Sequence, residues 1–144
     1  MDRRKWLFGV LGWPTLAATQ PASADWVVIA HRGNQRDIDR ALINRLYMYL
    51  LPKWDDGSSL QLYALDEVHP VRVSFDQEAL GRTSAQTKAL WAMMLIRGRG
   101  TPPTIVPNEQ EMVKAVAADP GAIGFVSAGV AQRASGVRIV RIRD

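Results

Sequence analysis

The chain predicts an α/β domain, a three-layer sandwich with a mixed, mostly parallel sheet. Three observations carry that expectation. Apolar runs short enough to be strands recur along the chain, segments of helical period lie between them, and Gly, Pro or capping residues stand where one period gives way to the next.

Asp25-Trp26-Val27-Val28-Ile29-Ala30-His31 is a continuous apolar run, the pattern of a strand covered on both faces. It ends at Arg32-Gly33-Asn34. From Gln35 the period becomes helical, with Ile38, Leu42, Leu46, Tyr49 and Leu50 on one stripe, and Pro52 halts the helix. Lys53 to Ser58 reads as a turn and Ser59 to Leu65 as a second strand, so the opening elements predict a βαβ unit. Val71 to Leu80 predicts a short helix closed by Gly81. Thr83-x-x-Gln86 has the residue types of a capping box. It opens a longer helix whose inward stripe is Leu90, Trp91, Met94 and Leu95 and whose end is Gly98. Asn108-x-x-Glu111 is a second capping box, with Met112, Val113, Val116 and Ala117 facing inward. Ala122 to Val126 and Val137 to Ile142 are the last expected strands, and the second alternates as an edge strand with one wet face would.

The N-terminus has a different grammar. Arg3-Arg4-Lys5 is followed by 13 residues from Trp6 to Ala18 that are mostly apolar, too few to span a bilayer at roughly 20 residues per helical crossing, and Ala22-Ser23-Ala24 supplies a small-x-small cleavage site. Residues 1–24 are therefore expected to be a cleavable signal peptide, and residues 25–144 a single exported domain with no membrane span. The full chain carries 18 Lys and Arg against 14 Asp and Glu. The signal holds three of those bases and one of those acids, leaving 15 against 13 in the mature domain. So small a surplus argues against a nucleic-acid partner, and Arg97-Gly98-Arg99-Gly100 reads as a turn rather than an RNA-binding tract. The chain has no cysteine, which excludes a disulfide framework and a thiolate metal site.

Five segments carry a family resemblance: Trp54-Asp55-Asp56-Gly57 leading into Leu60-Gln61-Leu62, Arg72 with Phe75 three residues on, Trp91, Gly98-Arg99-Gly100 before Pro102-Pro103, and Asp119-Pro120-Gly121-Ala122-Ile123-Gly124-Phe125-Val126. In this order they resemble the phosphate-type periplasmic solute-binding proteins of ABC transporters. The resemblance implies the type 2 periplasmic-binding fold. It also implies a periplasmic, non-enzymatic protein without cofactor that binds phosphate or a related oxyanion for transport or sensing. Full-length members trap the ion between two hinged lobes, and residues 25–144 suffice for one. Members also hold phosphate with a Ser-Gly-Thr segment, where this chain has Val73-Ser74-Phe75 after Arg72. Trp54 and Trp91 are expected to be core plugs.

Two loops have the residue types an oxyanion needs: a guanidinium for bidentate contact, and amides or hydroxyls to donate beside it. They supply Arg32 and Asn34 after the first strand, and Arg72 and Ser74 after the second. These four are the candidate ligand-binding residues. The residues equally allow Asn34 to be only a cap, Arg32 to be solvated and Arg72 to pair with Asp66, Glu67 or Asp76. Ser74, the histidines and Asp66 lack the nucleophile elbow that would expose a catalytic serine, and His31 and His69 are expected to serve as loop hydrogen-bonding residues. Two histidines cannot furnish the usual catalytic metal set, so no metal is expected. A second reading keeps the lobe fold without ligand binding, as an envelope interaction module for a protein partner or for self-association.

Overall fold

The computed structural model describes residue 12 and residues 24–142; the signal segment otherwise lies outside the described residues. The first apolar run forms β1 (Val27–His31), whose central residues Val28, Ile29 and Ala30 are buried on both faces as its unbroken apolarity requires. The remaining strands are β2 (Gln61–Leu65), β3 (Thr104–Val106), β4 (Ala122–Val126) and β5 (Val137–Val140). They form one sheet in the order β3-β2-β4-β1-β5. β2 runs parallel to β3 and β4, whereas β1 is antiparallel to both its neighbours, β4 and β5. Four strands thus point one way and β1 the other.

That reversal corrects the expected βαβ unit. β1 and β2 are not parallel partners, because β4 lies between them and β1 runs opposite to both. The carboxyl end of β1 therefore lies at the opposite edge of the sheet from the carboxyl ends of the other strands.

The intervening helix, α1 (Arg40–Tyr49), starts five residues later than its periodicity suggested. Asp39 caps it, its carboxylate accepting from the Leu42 amide at 2.7 Å, and residues 34–39 remain extended. The buried positions are Ile43, Leu46, Tyr47 and Leu50, while Tyr49, expected inside, is 64 % exposed. α2 (Pro70–Phe75) begins on Pro70, whose missing N–H costs nothing in the first turn, and continues as a wider π-helical segment, Asp76–Leu80. Gly81 closes the segment at φ 65°. α3 (Ser84–Ile96) carries both halves of the Thr83/Gln86 capping box. It packs on α1, the π-helical segment and Arg72 of α2, and its buried residues are Ser84, Thr87, Trp91 and Met94. Leu95, expected among them, is 58 % exposed. α4 (Glu109–Ala118) is capped by Asn108 and buries Met112 and Val116. β3 and the short α5 (Ala128–Arg133) have no counterpart in the sequence reading.

α1 and α2 cover one face of the sheet, and α4 and α5 the other. The alternation of β4 shows how the layers meet. Phe125 points into an aromatic cluster, stacked on Phe75 at 3.9 Å and edge-on to Tyr47 at 6.1 Å. Gly124 faces the other layer, where Met112 and Val116 of α4 press on the sheet. Trp54 and Trp91 are buried, as expected.

Two glycines mark backbone contacts that admit no side chain. A Cβ at Gly121 would overlap the main-chain carbonyl of Ser59, and one at Gly124 would overlap the Met112 sulfur. Backbone cannot yield as a thioether can. Gly121→Ala should therefore cost more stability than Gly124→Ala, each within about 1–3 kcal/mol, as compared by urea unfolding at 25 °C.

Candidate functional site

β2 ends at Leu65, and the chain turns through Asp66-Glu67-Val68, with the His69 amide donating to the Asp66 carbonyl at 3.0 Å. His69 then caps α2, its Nδ1 accepting from the Val71 amide at 3.2 Å. One turn into the helix, Arg72 points inward and is 2 % exposed. Its Nε donates to Asp76 Oδ2 at 2.7 Å, Nη1 to the Leu65 carbonyl at 2.8 Å, and Nη2 to Thr87 Oγ1 at 3.0 Å. The Thr87 hydroxyl proton lies between Asp76 Oδ2 at 2.9 Å and the Ser84 carbonyl at 3.0 Å. The guanidinium carbon sits 4.6 Å from the centroid of the Trp91 ring. Trp91 in turn donates from its indole N–H to the Tyr47 carbonyl at 2.8 Å.

Tyr47 completes the surroundings of the pair. Burial, and then the neighbouring Asp76 carboxylate, push its phenol well above the ordinary tyrosine range, against a smaller downward pull from Arg72. It stays a neutral donor, bonded to the Tyr63 carbonyl at 2.8 Å. Asp76 Oδ1 is buried without a hydrogen-bond partner.

Arg72 also borders a cavity of about 280 Å³ that lies between the loop after β2, α3 and the segment from Pro102 into β3. Trp91, Pro102, Pro103 and Ile105 give it apolar walls, and an ion pair from Lys88 Nζ to Glu67 Oε1 at 2.6 Å stands at its rim. Counting Asp66, Glu67 and the buried Asp76 against Arg72 and Lys88, the surroundings carry no cationic surplus.

The four candidate residues do not line one site. Arg72 and Ser74 follow β2, whereas Arg32 and Asn34 follow β1, whose reversed direction carries them to the far edge beside the start of β5. The length of β1 separates the two groups, about 13 Å at the usual rise per residue. The Ser74 hydroxyl accepts from the amide of Ala24 at 2.8 Å, a residue of the expected signal, so this bond belongs to the uncleaved chain. Arg32 is exposed. Asn34 is buried, its side-chain oxygen accepting from the Arg36 amide at 3.1 Å and from Arg36 Nη1 at 3.2 Å. His31 Nδ1 accepts from the Gly33 amide at 2.9 Å, so both histidines are loop hydrogen-bonding residues, as the sequence suggested. Among the described residues there is no group of three His, Cys, Asp or Glu able to hold a metal ion.

Sequence reasoning named Asp76 only as one of three acids that Arg72 could pair with; the structure selects it, and the i, i+4 spacing on one helix is the signal that could have done so. It missed Thr87, which arrives from α3 and has no local signature.

Three solved structures place this geometry in context. The chain is similar to an ABC-type phosphate transport receptor from Vibrio cholerae, with 13 % identity and a TM-score of 0.64, over 83 % of this chain and 46 % of that one. It is similar to PstS from Borrelia burgdorferi, with 11 % identity and a TM-score of 0.64, over 84 % and 48 %. It is also similar to a possible phosphate binding protein from Planctomyces limnophilus, with 17 % identity and a TM-score of 0.62, over 84 % and 42 %. At these identities the likeness is one of fold. The chain spans less than half the length of these structures, which fits a single-lobe arrangement. No family model and no curated protein matches the sequence.

Two measurements test this geometry. Removing one member of the buried pair strands the other, so Arg72→Met or Asp76→Leu alone should cost about 3–5 kcal/mol. The double variant should recover most of that loss in a double-mutant cycle of urea unfolding. Near Asn34, the Ser58 hydroxyl and amide and the Arg36 guanidinium hold the exposed Asp56 carboxyl down at about 2. Because the folded value lies below the ordinary 3.8, its contribution is complete above that value and fades as pH falls through about 2. NMR titration should show Ser58→Ala raising the Asp56 midpoint towards the ordinary value.

Proposed function

We propose that this chain is an exported, non-enzymatic, solute-binding-type lobe that works as an interaction module of the cell envelope. The observation that carries this reading is the state of Arg72. The guanidinium that would receive an oxyanion is buried, ion-paired to Asp76 and bonded to a main-chain carbonyl and a hydroxyl. A ligand in the cavity beside Arg72 would have to compete with a neutralising carboxylate 2.7 Å away and would meet Asp66 and Glu67 at the entrance. The export assignment rests on the basic head, short apolar stretch and Ala22-Ser23-Ala24 site. No described helix is long and apolar enough to cross a membrane.

A second reading is favoured by two of the neighbours, one named as a phosphate transport receptor and one as a possible phosphate binding protein, and by the placement of Arg72 and Lys88 beside the cavity. On that reading the lobe binds phosphate or a similar oxyanion weakly, because a single lobe leaves one side of the ion hydrated. Isothermal titration of the purified protein with phosphate and with sulfate separates the two. The interaction-module reading expects no saturable heat below about millimolar anion. Micromolar binding that Lys88→Ala weakens, with unchanged thermal unfolding, would establish the oxyanion reading instead.

A further inference from the structure

β5 is the last strand of its sheet, and among the described residues nothing pairs with its outer edge. Its sequence, Val137-Arg138-Ile139-Val140, is strand-favouring and contains neither a proline nor a bulge that would blunt it. Ile139 is 40 % exposed. Between β5 and the capped start of α1 lies a groove of about 720 Å³.

The groove has a sign. Arg36, Arg40, Arg138 and Arg141 line it, against Asp37 and Asp39. Asp39 is committed to capping α1, and Arg36 is paired with Asp56. Arg138 donates from Nε to the Asn34 carbonyl and from Nη2 to the Arg36 carbonyl at 2.6 Å, which positions its guanidinium without neutralising it. Arg141 is exposed just past the end of the strand. A fixed cation within the strand and an exposed one just past its end, directed to opposite faces by the alternation of extended chain, flank a row of main-chain groups with positive charge.

We propose that the outer edge of β5 receives an extended acidic segment of a partner protein, added as a further strand. Main-chain hydrogen bonds to β5 would supply the affinity, and carboxylates facing Arg138 and Arg141 would set the register and sign. A second copy of this chain fits the edge poorly, because antiparallel pairing of two β5 edges would bring the arginines of both copies together. A tetrahedral oxyanion would touch only a small part of a groove of this volume. The inference rests on the interaction-module reading and names its surface and partner class. It concerns a different edge of the sheet from the Arg72 cavity, so the phosphate titration and the experiment below can fail independently.

The probe is a fluorescent heptapeptide of Glu-Glu-Val repeats, which puts carboxylates on both faces of an added strand, titrated against the purified protein by anisotropy at low salt and at 0.15 M salt. Three controls accompany it: the same peptide with Lys for Glu, the Glu peptide N-methylated at alternate residues, and Arg141→Glu protein with unchanged thermal unfolding. Strand addition expects saturable binding of the Glu peptide that weakens with salt, no binding of the Lys peptide, loss on N-methylation, and a loss of about tenfold or more with Arg141→Glu. The proposal is overturned by the absence of binding at millimolar protein, by equal binding of the N-methylated peptide, by indifference to Arg141→Glu, or by displacement of the peptide by micromolar phosphate. Sedimentation showing a dimer that Arg141→Glu strengthens would overturn it in favour of a second copy.

Discussion

A guanidinium and a carboxylate held out of water need partners on every side, and the pairing of Arg72 with Asp76 organises much of this lobe around that need. The bare pair would lose more in desolvation than it regains in attraction, so the gain depends on the surrounding hydrogen bonds. Those come from three separate elements: the carbonyl at the end of β2, the hydroxyl of Thr87 on α3, and the carboxylate one turn further along α2. The Trp91 ring closes one face of the guanidinium, and Trp91 is itself tied to the main chain of α1 through Tyr47. The helical layer on that side of the sheet is therefore joined by one polar network as well as by apolar contact. Asp76 Oδ1, buried without a partner, is where the network is incomplete.

The direction of β1 is the second organising fact. By running against its neighbours in the middle of the sheet, it delivers its following loop to the edge where the other strands begin. The Arg32 to Asn34 turn thus belongs with Arg138 and the start of β5, and the Arg72 segment with the strand ends of β2 and β3. A parallel β1 would have put both loops on one edge, and the four candidate residues could then have shared a ligand. The antiparallel strand divides them into two groups: Asn34 orients Arg36 and supports Arg138 beside a basic groove, while Arg72 serves the core on the α2 side.

This division bears on how a single lobe can be useful. The solved structures that share its fold are more than twice its length. Their phosphate chemistry does not transfer with the fold, since function resides in particular side chains at particular places. In this chain the best-placed arginine is internally satisfied, bonded to Asp76, the Leu65 carbonyl and Thr87.

Much of the architecture was legible because it depends on local chemistry. The unbroken apolarity of Val28 to Ala30 required a strand with two covered faces, Thr83 with Gln86 required a helix start, and the alternation from Val137 required an edge strand; each is where its pattern put it. Short elements without a pattern escaped notice. β3 is only three residues long, and α5 begins at Ser127 without a side-chain cap. Tyr47 rather than Tyr49 faces inward because packing sets which face of α1 meets the sheet: Tyr47 bonds the Tyr63 carbonyl and contacts Phe75 and Phe125. The sequence by itself determined the fold class, the helix starts capped by Thr83 and Asn108, and a short set of acids for Arg72 that includes Asp76, because these depend on residues close in the chain. Only the tertiary structure decided which way β1 runs, that Thr87 completes the arginine's shell, and that Arg32 and Asn34 lie a strand's length from Arg72. Those outcomes depend on strand order and on contacts between distant segments, and no local pattern of residues encodes them.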